Sequence, residues 1–121
     1  MGFGEVWKVT GAILARMAEV SAEAGADFVV VVIPPRHAVY THGISRILQA
    51  RTIGRVRGLL ERQGIDHLDA TPILSRQAAG PHEPLYYEGD GHLTAAGHRL
   101  LARAVHRHLA GEHDVERDWC G

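Results

Sequence analysis

The sequence predicts an α/β fold with a parallel sheet. Three observations carry that expectation. Apolar residues recur at steps of three and four near both ends of the chain, the spacing of helices with one buried face. Residues 28–33 (FVVVVI) form a β-branched run without alternation, as expected of a strand covered on both faces. The order is then helix, strand, helix, strand, helix. Strands separated by helical stretches imply right-handed crossovers between parallel neighbours.

The first helix is expected over about residues 8–24. Val9, Ile13, Met17, Val20 and Ala24 make its inward face, with Arg16, Glu19 and Glu23 on the other side. Gly25 follows as the residue that ends it in a left-handed conformation. The strand 28–33 stops at Pro34-Pro35, because neither proline can donate to a ladder. The stretch RHAVYTHG reads as a loop at the strand's C-terminal end, where open α/β sheets bind ligands. A second helix is expected over 45–63, with Ile47, Leu48, Val56, Leu59 and Leu60 inward, although Gly54 and Gly58 weaken it. Gly64 closes that helix, and residues 65–70 (IDHLDA) form a short second strand.

Thr71-Pro72 begins a helical turn or a loop through Leu74, and residues 76–84 (RQAAGPHEP) are loop by composition. The last helix runs to about Leu109. Gly97, Leu100, Leu101, Ala104, Val105 and Leu109 face inward, and Thr94 sits at the N-cap. The tail, 110–121, is polar. Two strands are few for a sheet buried on both faces, so further strands are expected from upstream of Met1 or from another chain.

Length and composition narrow the function. A chain of 121 residues makes one domain, with its core expected over about 8–109. A formal net charge of -1 gives no electrostatic reason for nucleic acid or an anionic membrane as partner. Cys120 is the single cysteine, so no internal disulfide forms. The first residues lack the basic and apolar regions of an export signal, and 28–33 is too short to span a bilayer. A soluble chain is expected, cytoplasmic by default.

Chemistry concentrates in YYEGDGHLTAAGHRLLARAVHRHL, residues 86–109. Its Gly-flanked loop carries Asp90 and His92 directly ahead of a helix, which fixes where a carboxylate and an imidazole point. The bland alternatives are a loop histidine bonded to a backbone carbonyl and an aspartate serving an ordinary turn. A zinc site from Asp90, His92 and His98 is conceivable by ligand type, but no third histidine or cysteine is spaced to complete it, and no cofactor is expected. His106 and His108, two apart, point to different faces of their helix. Arg36 and His37, after the Pro-Pro stop, are candidates to line a substrate pocket; the solvated-loop reading is favoured over it.

A buried strand ending in proline, the strand sequence GIDHLD, and then YYEGDGHLTAAGHRLLA together resemble the C-terminal half of the SGNH (GDSL) hydrolases. The resemblance covers about residues 10–109, and the closing block is its specific part. It implies a flavodoxin-like three-layer α/β/α fold with a parallel sheet, here lacking its N-terminal strands. It also implies a serine esterase or acyl hydrolase in which His92 is the base and Asp90 its partner, with a small ester or acetylated compound as substrate.

Two departures matter. The commonest family spacing puts the Asp three residues before the His, whereas Asp90 is two before. The chain also has no GDS motif and no asparagine, so it lacks the family's nucleophile and one oxyanion-hole donor. Without an aligned hydroxyl a base has nothing to activate, and one oxyanion donor is worth about 10²–10³ in rate. Ser21, Ser45 and Ser75 sit at no strand-to-helix elbow. The chain alone is therefore expected to be inactive. The competing expectation is a non-catalytic assembly module, partnered by a second copy or by the missing N-terminal half.

Overall fold

The structure, a computed structural model, describes residues 2–40 and 43–111. Its elements are α1 (Phe3–Glu23), β1 (Val29–Val32), α2 (Arg36–Tyr40), α3 (Ile44–Arg62), β2 (Asp66–Asp69), α4 (Thr71–Ala79) and α5 (Ala95–Leu109). The polar tail from residue 112 onward, with Cys120, and Thr41-His42 of the RHAVYTHG stretch lie outside the described residues.

Two helix–strand units are built the same way. Gly25 and Gly64 adopt positive φ (72° and 65°) just past α1 and α3. In each, the following N–H reaches back to a carbonyl of the last turn: Ala26 to Ser21 at 2.9 Å and Ile65 to Leu60 at 3.0 Å. This paired closure needs a left-handed residue, which glycine adopts without a Cβ penalty. Each helix thus turns sharply into its strand. β1 and β2 pair in parallel, Val29 opposite Asp66 and Val32 opposite Asp69, with α3 as the crossover.

The expected α/β class is found, in a chain that is mostly helical. Among the described residues the sheet has two strands, and a three-layer sandwich is not formed by them. Several boundaries also move. α1 begins at Phe3 rather than near Lys8, because Gly2 caps it in an extended conformation and the Glu5 carboxylate accepts the Gly2 N–H at 3.0 Å. Residues 36–40 are a short helix rather than loop, and α4 continues to Ala79, through part of the segment read as loop. Proline at the start of α4 is compatible with its first turn, where N–H groups have no intrahelical acceptor.

The largest correction concerns the face of α1. Val9, Ile13, Met17 and Val20 were expected inward, yet each is about half exposed, Ile13 at 55%. α1 meets α3 through other residues. Gly11 abuts Leu59, the Gln63 amide donates to the Gly11 carbonyl at 3.0 Å, and the Arg55 guanidinium stacks 4.9 Å from the Trp7 ring centre. On α3, Ile47 and Leu48 are likewise exposed, while Ile53 and Leu60 are buried. A two-stranded sheet is too narrow to cover both helices. Val29–Val32 remain half-buried for the same reason.

The core sits past the C-terminal ends of the strands. Val39, Ala70, Ile73, Leu74, Leu85, Tyr86, Leu100 and Ala104 pack together, joining α2, α4, α5 and the segment before α5. Leu68 and Leu93 pack against them. Leu74 is fully buried, so Leu74→Ala is expected to cost about 2–5 kcal/mol in urea unfolding. Exposed Ile47→Ala should stay within about 0.5 kcal/mol of the parent in the same measurement.

Candidate active site

The loop carrying Asp90 and His92 is clamped at its base. Tyr86 and Leu93 form an antiparallel bridge, Tyr87 N–H donates to the His92 carbonyl at 2.8 Å, and Thr94 N–H donates to the Leu85 carbonyl at 2.9 Å. As the sequence indicates, Thr94 caps α5, its hydroxyl accepting from the Gly97 N–H at 3.2 Å. That hydroxyl also donates to the Pro84 carbonyl, so one side chain ties the helix start to the incoming chain. Gly97 permits the approach. A Cβ there would stand 2.2 Å from the Leu85 carbonyl oxygen, where no side chain fits.

Above this clamp the chain reverses through Gly89 and Gly91, both at positive φ (89° and 76°). Asp90 lies between them, and its Oδ1 accepts the His92 N–H at 2.9 Å, an Asx-type closure of the turn. The same oxygen lies 3.5 Å from His92 Nδ1. The two predicted site residues are therefore brought together, with the carboxylate on the Nδ1 side of the ring. His92 Nε2 has no hydrogen-bond partner among the described residues. Both side chains are well exposed, 83% for His92 and 59% for Asp90, so water screens their interaction.

Beside the loop opens a cavity of about 790 Å³. Arg36, Tyr40, His82, Tyr86, Tyr87, Glu88 and the first residues of α5 form its walls. Arg36, for which the solvated-loop reading was favoured over a pocket role, lies on its wall; its guanidinium stacks 5.1 Å from the Tyr40 ring centre, and its Nε is buried without a hydrogen-bond partner. His37 does not line it and is exposed. Neither do Asp90 and His92, although Tyr87 and Glu88 carry the wall to the base of their loop. Tyr40 and His82 escaped the sequence reading. Reading residues 36–40 as helix would have put Tyr40 one turn from Arg36, on the same face.

Tyr86 joins the loop to the sheet. Its hydroxyl donates to the Pro34 carbonyl at the end of β1 (2.7 Å), and its ring meets Tyr40 edge-on at 6.1 Å. Tyr40 in turn accepts the Leu85 N–H at 3.1 Å. Burial, and then the neighbouring Tyr40 phenol, push the Tyr86 phenol up from 10.0 to about 12.

The serines lie elsewhere. Ser21 donates to the Met17 carbonyl within α1, and Ser45 and Ser75 lie in α3 and α4; none lines the cavity. No group of three or more His, Cys, Asp or Glu side chains is placed to hold a metal ion among the described residues. His108 instead approaches Asp66 at 2.8 Å, tying the end of α5 to the start of β2. No helix among the described residues is long and apolar enough to cross a membrane.

The Asp-x-His loop ahead of the last helix is the feature by which the sequence resembles the closing block of the SGNH hydrolases. The comparison with protein families agrees: residues 8–118 match the family described as SGNH hydrolase-like domain, acetyltransferase AlgX, and the chain belongs to that family. Its function at the superfamily level is hydrolase- or acyltransferase-like. No curated protein and no solved structure matches the chain.

Two substitutions test the clamp. Gly97→Ala should destabilise the chain by about 3 kcal/mol or more, because the obstructing atom is backbone. Tyr86→Phe leaves the Pro34 carbonyl without its donor and should cost about 1–3 kcal/mol at neutral pH. The parent should also lose stability as pH rises from 10 to about 12, where the unfolded chain releases the Tyr86 proton before the folded one. Below pH 10 that contribution is fully present. Urea unfolding across this range should show the extra loss in the parent and not in Tyr86→Phe.

Proposed function

We propose that this chain supplies the base and orienting acid of a serine-type acyl-transfer site acting on carboxylic or O-acetyl esters. The observation that carries the reading is the placement of the Asp90 carboxylate on the Nδ1 side of His92, with Nε2 unengaged. In acyl transfer, Nε2 takes the hydroxyl proton and later returns it to the leaving group, while the acid holds the ring tautomer and stabilises the imidazolium. In this reading His92 is the base and Asp90 the orienting acid, supported by their 3.5 Å contact. At 3.5 Å the contact is longer than a hydrogen bond of about 2.7–3.2 Å, and it would tighten when a closing surface excludes water.

The serine and the oxyanion donors belong, in this reading, to sequence outside these 121 residues, which form a partial domain of the flavodoxin-like three-layer type. The outer edge of β1 is unpaired among the described residues and would accept the next parallel strand. The cavity beside the loop is the proposed substrate site, with Arg36 as its cation; Glu83, also on its wall, is already paired with Arg99 at 3.2 Å. A non-catalytic module is the second reading, favoured by the exposed apolar face of α1.

The chain alone should hydrolyse an activated acetyl ester no faster than buffer. A rate well above buffer that His92→Ala abolishes would overturn the assignment of the nucleophile to other sequence. Translating the DNA upstream of the Met1 codon in frame tests the rest. An open frame encoding a strand with a GDS motif and a later asparagine supports the catalytic reading. In that longer protein His92→Ala should lower kcat by about 10³-fold or more, and Asp90→Ala by less. A nearby in-frame stop would remove the catalytic reading and leave the module.

A further inference from the structure

Of the aspartates in the chain, Asp27, Asp66, Asp69, Asp90, Asp114 and Asp118, Asp90 alone precedes a glycine. An Asp-Gly pair has a reaction of its own. The amide nitrogen after the aspartate can attack the side-chain carboxyl carbon and close a succinimide ring, and glycine presents that nitrogen without a Cβ beside it. The chain has no asparagine, so no deamidation competes with this route.

Asp69 shows what opposes the reaction. It makes the same closure as Asp90, its Oδ1 accepting the N–H two residues on, from Thr71 at 2.9 Å. Its side chain is only 11% exposed, however, and the next residue, Ala70, is buried with its N–H donated to the Val32 carbonyl at 3.0 Å. The attacking nitrogen is engaged and water is kept away. At Asp90 each of these conditions is reversed. Its side chain is 59% exposed, Gly91 is exposed, and the Gly91 N–H has no hydrogen-bond partner among the described residues.

The turn also favours the attack. Reaching forward to the His92 N–H at 2.9 Å folds the Asp90 side chain over the Asp90–Gly91 peptide, so the reacting carbon and nitrogen start close together. That N–H sits on Oδ1, the oxygen that takes up negative charge as the nitrogen adds to Cγ. A fixed donor at that oxygen stabilises the developing charge.

We propose that Asp90 is a site of spontaneous isomerisation to isoaspartate, carried out by the Gly91 nitrogen within this turn. The bond from Gly91 nitrogen to Cγ forms, and the bond from Cγ to Oδ2 of the protonated carboxyl breaks. Oδ2 leaves as water, carrying the carboxyl proton and the amide proton. The succinimide then takes back one water. Addition at Cγ restores Asp90. Addition at the main-chain carbonyl breaks its bond to the Gly91 nitrogen, and the chain then runs through Cγ. Water is the only co-reactant. The product has one more methylene in its main chain and carries its carboxylate directly on Cα, so the contact with His92 is lost. The step needs only the turn, and it stands or falls separately from the acyl-transfer reading.

Peptide mapping of the full chain, aged at neutral pH, tests the proposal. Electron-transfer fragmentation cleaves the extra main-chain bond of isoaspartate and so places it. Trypsin releases residues 77–99 as one peptide in which Asp90 is the only aspartate. Isoaspartate at position 90 should exceed that at all the other aspartates together, preceded by a form of the same peptide lighter by one water. Gly91→Ala, with circular dichroism unchanged, should lower the yield at Asp90 several-fold. No excess over the other aspartates, or a yield that Gly91→Ala leaves unchanged, overturns the proposal. A free peptide of residues 86–94 that isomerises while the folded chain does not would mean that the fold protects Asp90, and would equally overturn it.

Discussion

The seat of α5 against Leu85 and Tyr86 is the contact on which the rest of the site depends. A helix carries its side chains about 5 Å from its axis, and only glycine lets its backbone touch a neighbouring chain so closely. Gly97 provides that contact, and Thr94 locks it by bonding both to α5 and to the Pro84 carbonyl. Tyr86 then extends the lock to the end of β1 through the Pro34 carbonyl. The loop above inherits its position from a packed, hydrogen-bonded base rather than from contacts of its own. This explains how two exposed side chains can still be held in register with each other.

The site separates orientation from enclosure. Asp90 and His92 are oriented by two positive-φ glycines and an Asx closure, all encoded within a few residues. Their enclosure is not encoded there. An imidazole surrounded by water interacts weakly with a nearby carboxylate, because a high dielectric and mobile ions screen the pair. Catalytic electrostatics gain strength when water is excluded. The cavity by Arg36 and the tyrosines supplies a wall on one side of the loop.

The narrow sheet explains the distribution of apolar surface. A doubly covered sheet buries the helices on its faces by being wide enough to lie under them. With β1 and β2 as its described strands, the sheet gives α1 and the first turns of α3 little to cover. The helices persist because they are closed at their ends, by the Gly2–Glu5 contact and the paired closures at Gly25 and Gly64. Local closure and tertiary burial are thus distinct contributions, and α1 has the first with little of the second.

That distinction also separates what was legible in the sequence from what was not. Periodicity, β-branched runs and glycine closures located all the long helices and both strands, since those signals act within a few residues. The Asp-x-His loop and its Thr94 cap were legible for the same reason. The helical character of residues 36–40, the extension of α4 to Ala79, and the exposure of Val9, Ile13, Met17 and Val20 were not. Periodicity shows that a face is apolar, but only the arrangement of the other elements decides whether anything covers it. By itself the sequence determined the three long helices, both strands, the glycine closures at Gly25 and Gly64 and the Asp90–His92 turn, because these are short-range. The tertiary structure alone decided the cavity joining Arg36, Tyr40 and His82 and the open face of α1, because each depends on residues brought together from distant parts of the chain.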